Sequence, residues 1–279
     1  MTLDAMALGS FVHGVLEITV NALESESGLS TATPSQIEAA VAKAIREVAE
    51  SWETEQPVPP AIVWRHAQET AKDLALKALG YPFTPLPKQT TWTEVPFGAG
   101  SALKTDRCNL PWTPNQKVEI LGSGLHIRGR IDRLDISGDE TVARVIDYKT
   151  GRLNNKQSEV VIDGGSELQR CLYAFAVKTL VNPKIKVEAA LLFPRAADGN
   201  ESLFPLANVN TVTKDLARFI RLARINLEDG LALPGIDAGG KYNDLVFALP
   251  ANAKASYLAR KQLLVSNRLG EFVQLWERP

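Results

Sequence analysis

Residues 128–150 read RGRIDRLDISGDETVARVIDYKT. Two apolar-rich runs with strand-like alternation flank ISGDET, a stretch with the composition of a hairpin turn. Side chains of a strand point alternately to its two faces. In the first run Asp132 therefore shares a face with Leu134 and Ile136, while Arg133 and Asp135 share the other. Solvent or an ion pair can satisfy the second pair, and a structural Arg133–Asp135 ion pair is expected. In the second run Asp147 and Lys149 project from one face with Ala143 and Val145. Antiparallel pairing can bring Asp132 and Asp147 close together. Two carboxylates in a partly apolar cleft repel each other and shift each other's pKa. A divalent cation relieves that repulsion, and oxygen ligands suit Mg²⁺ or Mn²⁺. Such a cation polarises a phosphoryl oxygen and lowers the pKa of a bound water. Lys149 can orient that water or offset the charge that builds on the phosphate.

Outward from this pair, strands are expected at 89–97, 117–122 and 125–136, the last containing the first acidic run, and at 141–149. KVEAALLF (186–193) and FVQLW (272–276) read as further strands. Helical spacing marks 5–24, 165–181, 211–229 and 254–265. Thr33 and Pro34 look like a helix start, and a further helix opens at VPP (58–60), runs to about Leu79 and ends at Gly80 and Pro82. The order of elements predicts one α/β domain over 1–279. Its central mixed sheet is flanked by helices, with a helical insertion over 30–82. On the first helix Gly9, His13 and Glu17 follow at i, i+4 spacing along the edge of the apolar stripe. Gln169 and Tyr173 repeat that spacing on the 165–181 helix.

Thirty-one basic against thirty-two acidic residues give a net charge of −1. A protein that grips DNA alone usually carries a basic excess. Any basic path must then be local, or a partner supplies the grip. No apolar run approaches the roughly 18–20 residues of a membrane span, and no secretory signal is read at the N-terminus. Cys108 and Cys171 make neither a disulfide framework nor a metal-binding pair. A cytoplasmic setting is expected.

The ordered set GSFVHGVLE, GRIDRLD, VIDYKTG and LQRCLYAFA resembles the RecB-like branch of the PD-(D/E)XK nuclease superfamily, with which the nuclease domains of AddAB- and RecBCD-type machines belong. One D-x-K alone is weak; four motifs in order, across roughly residues 8–180, are specific. The resemblance implies a restriction-endonuclease-like core and metal-dependent DNA cleavage. It implies His13, Asp132 and Asp147 as metal ligands, with the carbonyl of Tyr148 as a fourth, and Lys149 as the catalytic lysine. Gln169 and Tyr173 would support the site and the DNA, and Glu94 matches an acidic position that sometimes precedes the GxxD strand. Cluster cysteines of many relatives are absent, so no iron–sulfur cluster is expected. Without a GxxxxGK[ST] loop, ATP-driven unwinding is not expected of this chain, which would be a lone nuclease, a fragment, or a subunit beside a helicase or other protein. The alternatives are an inactive nuclease-fold module that binds DNA or serves as a scaffold, and an RNA-directed nuclease. Glu17, His66 and His126 are read without ligand roles, and Arg260, Lys261 and Arg268 as a solvated face.

Overall fold

A computed structural model of the chain describes residues 3–98, 109–153, 161–196, 201–231, 249–252 and 254–276. The helices are α1 (Ala5–Glu26), α2 (Pro34–Glu55), α3 (Ala61–Leu79), α4 (Gln169–Leu180), α5 (Val209–Glu228) and α6 (Lys254–Leu269). The strands are β1 (Thr90–Phe97), β2 (Val118–Ile120), β3 (Leu125–Ile127), β4 (Gly129–Ile136), β5 (Val142–Tyr148), β6 (Lys186–Leu192) and β7 (Leu203–Pro205). Five strands form one mixed sheet in the order β1-β4-β5-β6-β7, while β2 and β3 pair separately. β4 runs antiparallel to β1 and β5, whereas β5 and β6 are parallel. Helix α4 provides the crossover that a parallel pair requires.

Contacts divide the chain into two compact units. The first comprises Met1–Val118, His126–Ser158 and Gln169–Val209, and holds the large sheet with α1 to α4. One core of this unit gathers Phe11, Val15 and Leu16 of α1, Val41 and Val48 of α2, Trp64 and Leu74 of α3, and Ile146 and Leu192 of the sheet. The two helices of the 30–82 stretch thus share a core with α1. Trp52 stacks on Trp64 at 6.0 Å, and Phe11 meets each ring edge-on. Thr33 and Gln36 close a reciprocal capping box that starts α2 where the sequence placed it. By length and composition α1 meets the minimum for a membrane span, a test that a core helix passes too. Its apolar stripe faces the helices and sheet just described.

The second unit comprises Glu119–Leu125, Glu159–Leu168 and Asn210–Pro279. Here Arg221 of α5 donates to Leu121 O at 3.0 Å, and Arg224 donates to Ser123 O. Arg218 pairs with Glu271 at 3.1 Å. The expected strand FVQLW is not one: Gly270–Leu275 forms 3-10 turns. A short apolar run fits a strand and a buried turn equally well, and the sequence alone does not choose.

The strand expected over 125–136 breaks at Arg128 into β3 and β4. A close approach lies at this break. Gly98 ends β1 at φ +65°, and a Cβ there would sit 2.0 Å from the Ile127 carbonyl oxygen. Only glycine fits that position. Helix α4 starts at Gln169, after a 3-10 turn over Asp163–Gly165 whose residues all have positive φ. The three-residue strand β7 gave no period to read.

Both faces of β4 are closed over Ile131–Ile136. On one of them the expected ion pair is present. Arg133 Nε and Nη2 donate to Asp135 Oδ1 and Oδ2 at 2.9 and 3.0 Å. Thr91 Oγ1 donates to the same carboxylate at 2.9 Å, and Arg144 lies 3.6 Å from it. Both guanidinium groups sit over the Phe83 ring, at 5.1 and 4.9 Å. This buried network anchors β4 and so fixes where its opposite face points.

Candidate metal centre

The β4–β5 ladder ends at the pair Arg133↔Ile146. One step further along the same register, Asp132 faces Asp147. Facing residues of paired strands project to the same side, so both carboxylates belong to one face. Here Asp132 replaces the missing ladder partner: Tyr148 N–H donates to its Oδ2 at 2.9 Å. The carboxylate is thereby fixed at the open end of the strand pair.

Two other elements bring donors to this corner. Helix α1 places His13 Nε2 3.4 Å from the Tyr148 carbonyl oxygen and 3.9 Å from Asp132 Oδ2. Strand β1 brings Glu94, whose Oε1 lies 3.0 Å from His13 Nδ1. Glu94 holds φ at +49° between the paired residues Thr93 and Val95. Such a value costs a non-glycine residue of order 1–3 kcal/mol and collects at functional sites. Arg130 approaches the other Glu94 oxygen at 3.7 Å. His13, Glu94 and Asp132 each offer a ligand atom within 4.8 Å of the others.

Beside this group a second chain of contacts runs along β5 and α4. Lys149 Nζ lies 2.6 Å from Asp147 Oδ2 and also donates to Gln169 Oε1. Gln169 Nε2 donates in turn to Tyr173 OH at 3.2 Å. The i, i+4 pair of α4 thus holds the lysine that β5 presents. Arg170, the next residue, is buried; it donates to Phe204 O at 3.2 Å, and its charge is felt by Asp147.

Burial dominates the electrostatics of this corner. Burial, then the charge of Asp147, pushes Asp132 up to about 7. Asp147 is raised by burial, against the pull of Lys149. Burial disfavours a charged His13, but its bond to Glu94 and the Asp132 charge outweigh that and push it up to about 9. Desolvated acids whose charged forms are disfavoured by burial are what a bound cation would relieve. One imidazole nitrogen, carboxylates and a backbone carbonyl also form a hard, mostly oxygen donor set. The residues therefore fit a divalent cation.

The structure brings His13, Glu94, Asp132 and the Tyr148 carbonyl together, and sets Asp147, Lys149, Gln169 and Tyr173 next to them. Glu94 stands closer to the ligand group than its weak motif match suggested. Arg170 gave no signal, because an arginine on a helix reads as solvated. Cys171 is buried on α4, and Cys108 lies outside the described residues.

A mixed five-stranded sheet flanked by helices, with acids at the open end of one strand pair, is a restriction-endonuclease-like core. The chain belongs to the PD-(D/E)XK nuclease superfamily, whose family model matches residues 2–235. Members of that superfamily are mostly metal-dependent nucleases. No curated protein matches the chain.

Proposed function

We propose that this chain is a Mg²⁺- or Mn²⁺-dependent deoxyribonuclease of the RecB-like branch. On this reading it acts in the cytoplasm in DNA repair, recombination or defence, alone or as a subunit beside a helicase or another protein. The observation that carries the reading is the convergence of His13, Glu94 and Asp132 on one corner, with Lys149 tied to Asp147 and Gln169 beside it. His13, Asp132, Asp147 and the Tyr148 carbonyl would hold the cation, with Glu94 at its edge. A bound cation would supply phosphoryl polarisation and a water of lowered pKa. Lys149 gives its ammonium to the non-bridging oxygen where charge grows, or fixes the attacking water. Gln169 and Tyr173 keep that ammonium at one place, which reduces the reorganisation needed during the step.

Cleavage of single- and double-stranded DNA with Mg²⁺ or Mn²⁺ tests the reading. Removing a group aimed at the developing charge costs about 10²–10³ in rate. Asp147→Ala and Lys149→Ala should each lose at least that much. Variants that cleave as well as wild type would refute the site. The net charge of −1 favours a second reading, an inactive DNA-binding or scaffold module. Calorimetric Mn²⁺ titration separates the two: a scaffold with a ruined site shows no binding that depends on Asp147.

A further inference from the structure

A cleft of about 690 Å³ opens beside the candidate centre, within the first unit. Leu3 and Leu8 of the α1 side and Ile62, Val63 and Ala67 of α3 give it apolar walls. The loop that follows the candidate catalytic lysine closes one end, through Thr150, Gly151 and Arg152, and Arg195 joins that rim. Arg195 Nε donates to Thr150 O at 2.9 Å. A guanidinium has five N–H donors, so this bond fixes the group at the rim and still lets it grip an anion. Arg152 and Arg195 are both exposed. The first turn of α3 lines the same cleft, and its N-cap Pro60 provides no side-chain cap. Uncapped N–H groups and the helix dipole add to a field that favours negative charge. Asp4, the one carboxylate among the described residues of the lining, accepts a bond from Ala7 N–H at 2.8 Å.

Size and position narrow the occupant. The volume lies in the range of about 300–1,000 Å³ that takes a small molecule, too little for a base-paired segment. Along α1, Leu8 precedes His13 by five positions. At about 1.5 Å per residue that is some 7–8 Å along the helix axis, so the cleft wall and the candidate ligand lie within two turns of one helix. The geometry points to a subsite for one unpaired nucleotide next to the scissile phosphate, its base against the aliphatic walls and its phosphate on Arg152 and Arg195. This inference rests on the nuclease reading and adds to it a place where the strand is held open.

The probe is thymidine 5′-monophosphate, titrated calorimetrically into the full chain in EDTA, so that no metal-bound phosphate contributes. Saturable binding is expected, with thymidine and inorganic phosphate each at least tenfold weaker. Arg152→Glu and Val63→Trp should each weaken binding at least tenfold. If the tryptophan variant fails to fold, the exposed Arg152 decides. Absence of saturable binding, or binding indifferent to Arg152→Glu, overturns the subsite. Cleavage of DNA and RNA by wild type with Mn²⁺ runs in parallel. A protein that cleaves but binds the nucleotide without Arg152 loses the subsite and keeps the nuclease. A protein that binds through Arg152 and cleaves neither polymer keeps the subsite and loses the nuclease.

Discussion

At the scale of residues, the site is governed by protons. Asp132 rises from 3.8 to about 7 and His13 from 6.5 to about 9. Both folded values lie above the ordinary ones, so between these limits the ion-free folded protein binds more protons than the unfolded chain. Their contribution to stability is complete at low pH and is lost as pH climbs through about 7 and then about 9. Ligands must shed their protons to bind metal, so metal affinity should strengthen over the same window. In EDTA the melting temperature should fall between about pH 6 and 9. Mn²⁺ binding near pH 7 should release protons, seen as a dependence of the calorimetric heat on buffer ionisation enthalpy. A pH-independent affinity would contradict this account. On the other face of β4, Asp135 is fully buried between two arginines. Asp135→Ala takes the carboxylate from buried Arg133 and leaves Arg144 with Glu188 and Thr84 O, and urea unfolding should register a loss of roughly 3–5 kcal/mol. These assignments were legible because strand alternation sorts side chains by face. The Glu94–His13 contact was not, since the two lie far apart in sequence and the backbone turn that aims Glu94 has no compositional mark.

At the scale of elements, long periodic segments were readable and short ones were not. The helices α1 to α3 and the strands β1, β4, β5 and β6 fall close to where their spacing put them. The Leu203–Pro205 strand and the Gly270–Leu275 turns escaped, for three to six residues are too few to distinguish one period from another. The break at Arg128 lies beside the close approach of Gly98 to the Ile127 carbonyl, a contact between separate strands that no local pattern encodes. β1 carries the most telling deviation. Glu94 leaves strand geometry at φ +49°, and its carboxylate reaches His13. Glu94→Gly should relieve the backbone, and so leave the melting temperature equal or higher in EDTA, while weakening Mn²⁺ binding about tenfold or more, the lower end of what losing a supporting contact to a metal site costs. A variant that melts lower and binds metal as well as wild type would mean that the conformation serves packing alone.

At the scale of the whole molecule, charge sets the limits. With a net charge of −1 the chain has no general attraction for a polyanion. Its affinity for a random DNA fragment, measured by anisotropy with the Asp147→Ala variant at physiological salt, should be no tighter than the nonspecific range of about 10⁻⁴–10⁻⁶ M. Nanomolar binding under those conditions would remove the need for a partner to supply the grip. The superfamily was legible from four ordered motifs, whereas the division into two units was not, because it arises from contacts between segments distant in the chain. One feature of β4 reaches beyond this molecule. The strand is locked from one side by Asp135 and its arginines, while on the opposite side burial disfavours the charged forms of Asp132 and Asp147. A lineage that exchanged either acid for its amide would lose its trade yet gain ruggedness. Silent cousins of this chain should therefore arise readily, keep the locked side, and outlast their chemistry.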